Sequence, residues 1–169
     1  AFIYNNDYQK ALKWIIFTQN SNVSNENLEN VKLLYDLYRS EDTKKILEYI
    51  NENYQNLIDN ESTNIKEILL VTSNLLDLDK NYNSSLFFEN VMDQRQMPTI
   101  FLSSEIEQAI NNKDEPNLFL LILSSLNNKE WTEIHPEHLK LVLKGIKNYK
   151  NSELLKNTLL NIFENNKIF

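Results

Sequence analysis

Glycine occurs once in this 169-residue chain, at position 145. Few features narrow the available folds as much. Primed hairpin turns and barrel corners draw on glycine for unusual backbone angles, so its near absence counts against an all-β architecture. It also removes the glycine-rich loops that cradle nucleotides, because neither GxGxxG nor GxxxxGK(S/T) can be written around Gly145 alone. Only three prolines interrupt the rest, which leaves long stretches open to helix.

Apolar residues recur at helical spacing along most of the chain. Tyr8, Ala11, Leu12 and Ile15 stand at i, i+3, i+4 and i+7 behind Asn6 or Asp7 as cap. That spacing predicts a helix over 7–19, with Trp14 and Phe17 widening its stripe. A second helix is expected over 24–40, with Leu28, Val31, Tyr35 and Tyr38 on one face and Leu33 and Leu37 on another. Two apolar faces predict a helix packed between layers. Asp42 or Thr43 opens a third helix carrying Ile46, Ile50, Tyr54 and Leu57. Thr63 or Asn64 opens a fourth carrying Ile65, Ile68, Leu69, Thr72, Leu75 and Leu76.

The pattern weakens over 77–104. A short helix over 85–93 is expected, then the irregular Gln94-Arg95-Gln96-Met97-Pro98, a candidate joint between N- and C-terminal portions. Ser103 or Ser104 is expected to cap a helix holding Ile106, Ala109 and Ile110. Residues 118–123 are all apolar, too short a run to span a bilayer, and read as a central helix packed between neighbours. The clearest helix start follows, with His135 as N-cap, Pro136 at N1 and Glu137 at the positive end of the dipole. Ile134 and Leu139 are spaced for a hydrophobic staple across it. This helix should bury Leu139, Val142, Leu143 and Ile146 and end near Lys150. Ser152 is expected to cap the last one, with Leu155, Leu159, Ile162 and Phe163 inward.

These elements predict an all-α chain forming a single domain over 1–169, with a subdivision into 1–80 and 99–169 at the joint. Helix pairs recurring at roughly 35 to 40 residues suit antiparallel pairs stacked as a short α-solenoid of degenerate repeats. An irregular helical bundle is the alternative. The segment Tyr8-Gln9-Lys10-Ala11-Leu12-Lys13-Trp14 resembles the second helix of a tetratricopeptide or Sel1-type repeat. The resemblance covers this one helix and implies the helical-repeat class.

Function is bounded mainly by exclusion. A formal net charge of −7 disfavours nucleic acid and anionic membrane surfaces as partners. With no cysteine there is no disulfide, zinc-thiolate centre, iron–sulfur site or thiol nucleophile. That absence fits the cytoplasm and export alike, with the cytoplasm slightly favoured. The chain begins at Ala1, so either a leader has been removed or the sequence is part of a longer one. The 27 asparagines are scattered rather than clustered, which reads as genome bias.

Several constellations invite chemical readings. His135 and His138, with Glu133 and Glu137, have partial metal-ligand character, but HExxH is absent and helix-start chemistry explains them better. Asp77, Asp79, Asn81, Asn83 and Ser85 alternate like a calcium loop. Tyr82 stands where that loop needs glycine and Phe88 where it needs glutamate, so an ordinary polar turn is expected. No cofactor or metal is therefore expected. Lys140, Lys144 and Lys147 share one helical face, a stripe that suits either solvent or an acidic partner. Tyr35 and Tyr38 belong to an ample aromatic supply of the kind found at interface centres. The resulting expectation is a non-enzymatic scaffold that binds another protein or peptide in a groove between helices, through Tyr35, Tyr38, Lys140, Lys144 and Lys147. A helical enzyme whose acidic pocket forms only in the fold is the alternative.

Overall fold

The computed structural model describes residues 2–21, 25–40, 43–46, 48–50, 63–76, 93–149 and 151–168. Among them all regular structure is helical, as the periodicity predicts. The helices are α1 (Tyr8–Gln19), α2 (Asn25–Arg39), α3 (Thr63–Leu75), α4 (Ile100–Asn112), α5 (Glu115–Leu126), α6 (Pro136–Asn148) and α7 (Ser152–Asn165). A 3-10 turn, Trp131–Glu133, precedes α6. Residues 44–46 and 48–50 are also helical, and Ile46 and Ile50 are fully buried. Tyr54, Leu57, the calcium-like run from Asp77 and, except for Asp93, the helix expected over 85–93 lie outside the described residues.

Side-chain caps set most helix starts. Asp7 accepts from the Lys10 N–H, Asp114 from Asn117, and His135 from Glu137. Two starts differ from expectation. Thr99 rather than Ser103 caps α4, one turn earlier, because it follows Pro98 with extended backbone and accepts from the Leu102 N–H. Ser103 Oγ instead donates back to the Thr99 carbonyl within the helix. Asn151 caps α7, which makes Ser152 its first residue. Lys113 and Asn127 take the left-handed angles that end α4 and α5, at φ 56° and 46°, a position usually given to glycine.

The centre of the core is α6, which packs against α3, α4, α5 and α7. Leu139, Val142 and Leu143 of α6 meet Ile68, Leu69 and Val71 of α3, Ile106 of α4, and Leu159, Leu160, Ile162 and Phe163 of α7 in one buried cluster. The all-apolar run is therefore not the central helix. In α5 only Leu118, Ile122 and Ser125 are buried, while Leu120 is 63% exposed and Phe119 and Leu123 also face solvent. The reason is position: α5 pairs with α4 and α6, and its outer side has no covering helix among the described residues. Gly145 of α6 sets the approach of these two helices. A Cβ there would lie 2.6 Å from Ile122 Cδ1 and 3.3 Å from Leu118 Cδ1.

This asymmetry separates two neighbouring residues that the sequence treats alike. Ile122→Ala should cost about 2–5 kcal/mol, the range for truncating a buried aliphatic. Leu121→Ala, at a half-buried position, should cost about half as much. Urea denaturation of both variants checks this, and equal midpoint shifts would contradict the described packing.

A smaller cluster lies between α1 and α2, where Ala11 and Ile15 meet Leu28 and Tyr35, with Ile3 and Tyr8 alongside. Leu37, on the other face of α2, belongs to the main core. The two-faced character of α2 is thus real, although Val31 from its stripe is exposed. The wide stripe expected on α1 is not buried. Leu12, Trp14, Ile16 and Phe17 all remain exposed, because α1 packs chiefly against α2 and presents its remaining faces to solvent. The end of the chain also meets residues 4, 49 and 64. Tyr4 donates to Glu164 at 3.0 Å, Tyr49 to the Ile168 carbonyl at 3.1 Å, and Asn64 to Asn166 at 2.7 Å.

Candidate interaction site

The exposed side of the α1–α2 pair contains a groove of about 460 Å³. Ala11, Ile15 and Leu28 form its floor. Trp14 and Thr18 line it from α1, Val31 and Leu34 from α2, and Phe2, Ile3 and Tyr4 from the preceding turn. The surface is almost wholly apolar. Its one hydroxyl outside the tyrosine, on Thr18, is engaged within α1 by the Trp14 and Ile15 carbonyls at 2.8 and 2.9 Å. Trp14 and Phe17 meet edge to face at 5.7 Å and extend the apolar surface beyond the groove. They are 55% and 62% exposed. Apolar patches of this kind on otherwise polar proteins mark binding surfaces. At the rim Lys10 pairs with Asp7 at 2.6 Å and lies 5.9 Å from the centre of the Phe2 ring.

The five residues expected to bind a partner are placed on two different parts of the fold. Tyr35 is buried, with its ring edge-on to Tyr8 at 6.1 Å and beneath the Arg39 guanidinium at 5.8 Å. It belongs to the packing between α1 and α2. Tyr38 is half-buried and meets Tyr4 edge-on at 5.5 Å. Burial, and then the Glu164 carboxylate, push its phenol well above the ordinary range. The lysines sit on α6. Lys140 lies 3.6 Å from Glu137, Lys144 lies 3.8 Å from Glu107 of α4, and Lys147 donates to the Leu75 carbonyl of α3 at 2.5 Å. Lys144 and Lys147 thus tie α6 to α4 and α3, while Lys140 pairs along α6 itself.

The histidines do not converge. His135 uses Nδ1 as the cap acceptor, and its Nε2 is 3.8 Å from Asp93. His138 is fully buried, with Nδ1 at 3.2 Å from the Gln96 carbonyl and Nε2 at 3.0 Å from Ser125 Oγ. Burial pushes its pKa down, so the neutral ring donates from Nδ1 to Gln96 and accepts at Nε2. Ser125 Oγ also lies 2.7 Å from the Ile122 carbonyl, and its single proton serves one acceptor at a time. Among the described residues no group of three or more His, Cys, Asp or Glu is arranged to hold a metal ion.

The depressed His138 pKa has a definite consequence for stability. The unfolded chain takes up this proton first as pH falls below the ordinary value of 6.5, so folding loses stability from there downward. Wild-type urea midpoints should decline between about pH 7 and 5 more steeply than those of His138→Gln. Equal slopes would show that His138 does not titrate differently in the two states.

Sequence reasoning missed Arg95, which it placed in an irregular joint. Its Nε bonds Asp93 at 2.9 and 3.0 Å, its Nη2 bonds Asp93 at 2.5 Å, and its Nη1 donates to Asn64 at 2.7 Å. Nη2 also lies 2.8 Å from Glu67 of α3, an ion pair without hydrogen-bond alignment. Arg95 holds the Asp93 carboxyl down at about 2, against a burial effect that opposes it. Next to it, Gln96 donates from its backbone to Glu133, accepts from the His135 N–H and donates from its side chain to the Ser125 carbonyl. The passage is therefore bonded to α3, α5 and the start of α6. Only the Arg95–Asp93 spacing of two was visible beforehand; the remaining partners are distant in sequence.

No protein-family model, curated protein or solved structure matches the chain. Among the described residues no helix is long and apolar enough to cross a membrane.

Proposed function

We propose that the protein is a non-enzymatic helical scaffold that receives an amphipathic helical segment of a partner protein in the α1–α2 groove. The observation that carries this reading is the 460 Å³ apolar groove with Trp14 exposed on its wall. Amphipathic helices insert apolar anchors at i, i+3, i+4 and i+7 into such grooves. The charged groups buried elsewhere favour this over an enzyme, because Asp93 and Glu67 both pair in charge with Arg95. Of the two layouts expected, the contact of Tyr4 with Glu164 across the length of the chain favours an irregular bundle over an open stack.

Trp14 supplies the test. In a Trp131→Phe background it is the remaining tryptophan of the two in the sequence. Synthetic amphipathic helical peptides should shift its emission to the blue in a saturable manner. Val31→Arg, which places a charge on the groove wall at a position 41% exposed, should weaken that binding by about tenfold or more without unfolding the protein. Binding unaffected by Val31→Arg, or a peptide panel that leaves Trp14 emission unchanged, would overturn the reading.

A further inference from the structure

Beside the apolar groove lies a second cavity of quite different chemistry. It measures about 270 Å³ and is lined by Tyr8, Tyr38, Arg39, Glu153 and Lys156, among others. Lys156 is unusual for its charge, being only 6% exposed. Its ammonium donates to the carbonyls of Tyr38 at 3.0 Å and Ser40 at 2.6 Å, at the C-terminal end of α2. Those carbonyls carry partial negative charge, and an ammonium has three N–H donors, so a full charge and one donor remain. Arg39 donates to the Tyr35 hydroxyl at 3.2 Å and stacks on that ring.

Among the described residues neither Lys156 nor Arg39 has a carboxylate at ion-pair distance. Lys10, Lys32, Arg95, Lys129, Lys140 and Lys144 each do. Lys156 is the buried one of the two, and buried charges are ordinarily paired with a carboxylate at contact distance. Glu153 lines the same cavity, and its charge, after burial, helps to raise the Tyr8 phenol. Glu164, bonded to Tyr4 and acting on Tyr38, brings a second carboxylate to the edge of the cavity, so a monoanion such as a carboxylate suits the two cations better than a phosphate dianion would.

The geometry points to this cavity as a receptor for a carboxylate, supplied by an acidic side chain of the same partner helix that fills the groove. The cavity and the groove adjoin: Tyr4 lines the groove, Tyr38 lines the cavity, and the two rings meet edge-on at 5.5 Å. A segment with apolar anchors and one glutamate beside them would occupy both. The partner's identity as a helix rests on the proposed groove function, but the carboxylate receptor does not.

Two measurements separate these claims. In the first, sodium acetate and inorganic phosphate are titrated separately against chloride at constant ionic strength, following side-chain NMR signals of Arg39 and Lys156. Acetate should produce saturable shifts that disappear in Arg39→Gln, an exposed substitution that spares the Lys156 bonds to α2. Linear, unsaturated shifts, or tighter binding of phosphate than of acetate, would overturn the carboxylate receptor. In the second, paired amphipathic peptides differing only as glutamate or glutamine are compared through Trp14 emission. The glutamine peptide should bind about tenfold more weakly to the wild type and within about twofold of the glutamate peptide in Arg39→Gln. Equal binding of the two peptides to wild type refutes the inference and leaves the groove intact. Saturable acetate shifts with neither peptide bound would refute the groove and retain the receptor.

Discussion

Arg95→Met should lower the free energy of unfolding by about 3–5 kcal/mol, the cost of removing one partner from a buried ion pair. Glu67 is buried and Asp93 nearly so, and both rely on the same guanidinium. Methionine has similar length and leaves no large cavity, so the loss reports the uncompensated carboxylates. Adding Glu67→Gln to the variant should restore part of the stability, because one of the two stranded charges is then gone. The effect should also depend on acid. A carboxyl whose folded pKa is lowered contributes stability above its unfolded value of 3.8 and loses it as pH falls toward 2. The gap between wild type and Arg95→Met should therefore narrow below pH 3.8. A midpoint shift no larger than that of an ordinary surface substitution would show that Arg95 is dispensable.

Phe163→Ala should have an effect of similar size, roughly 3–5 kcal/mol. Phe163 is fully buried in α7, within the cluster shared by α3, α4 and α6. Its carbonyl also accepts the Ile168 N–H at 2.9 Å, which keeps the residues after α7 folded back on the helix. Phe163→Leu retains most of the apolar volume and should recover most of that loss. Urea unfolding of the two variants distinguishes a core position from a peripheral one, since a peripheral ring would give small and equal changes.

Much of the fold was legible because it follows from local rules. His135, Pro136 and Glu137 announce the start of α6, and the buried faces of α3, α6 and α7 follow helical spacing. The errors share a cause, which is that hydrophobicity does not say which surface will be covered. Residues 118–123 are uniformly apolar, yet α5 lies at an edge and only one side meets neighbours. Trp14 and Phe17 widened the apparent core stripe of α1 and instead line open surface. The start of α4 was misplaced because Ile100 and Phe101, exposed in its first turn, break the inward pattern while Thr99 supplies the cap.

The candidate site was less legible still. The groove assembles the turn at 2–4 with α1 and α2, and spacing within any one of them does not reveal their union. Arg95 looked like part of a joint because its partners Asn64 and Glu67 are about thirty residues away. The lysine stripe was visible as a pattern, but its bonds to Glu107 and Leu75 required the fold.

The capping of α2 by Lys156 has a consequence for the protein during its synthesis. The carbonyls of Tyr38 and Ser40, at the end of α2, emerge more than a hundred residues before the ammonium that donates to them. At ribosomal speeds that interval is on the order of 10 s, long compared with helix formation. Throughout it the end of α2 lacks this donor, and Leu37 lacks those of its core neighbours that lie in α6 and α7. Rare codons or pauses late in the message would lengthen that interval, so the yield of native protein should respond to translation rate as well as to stability.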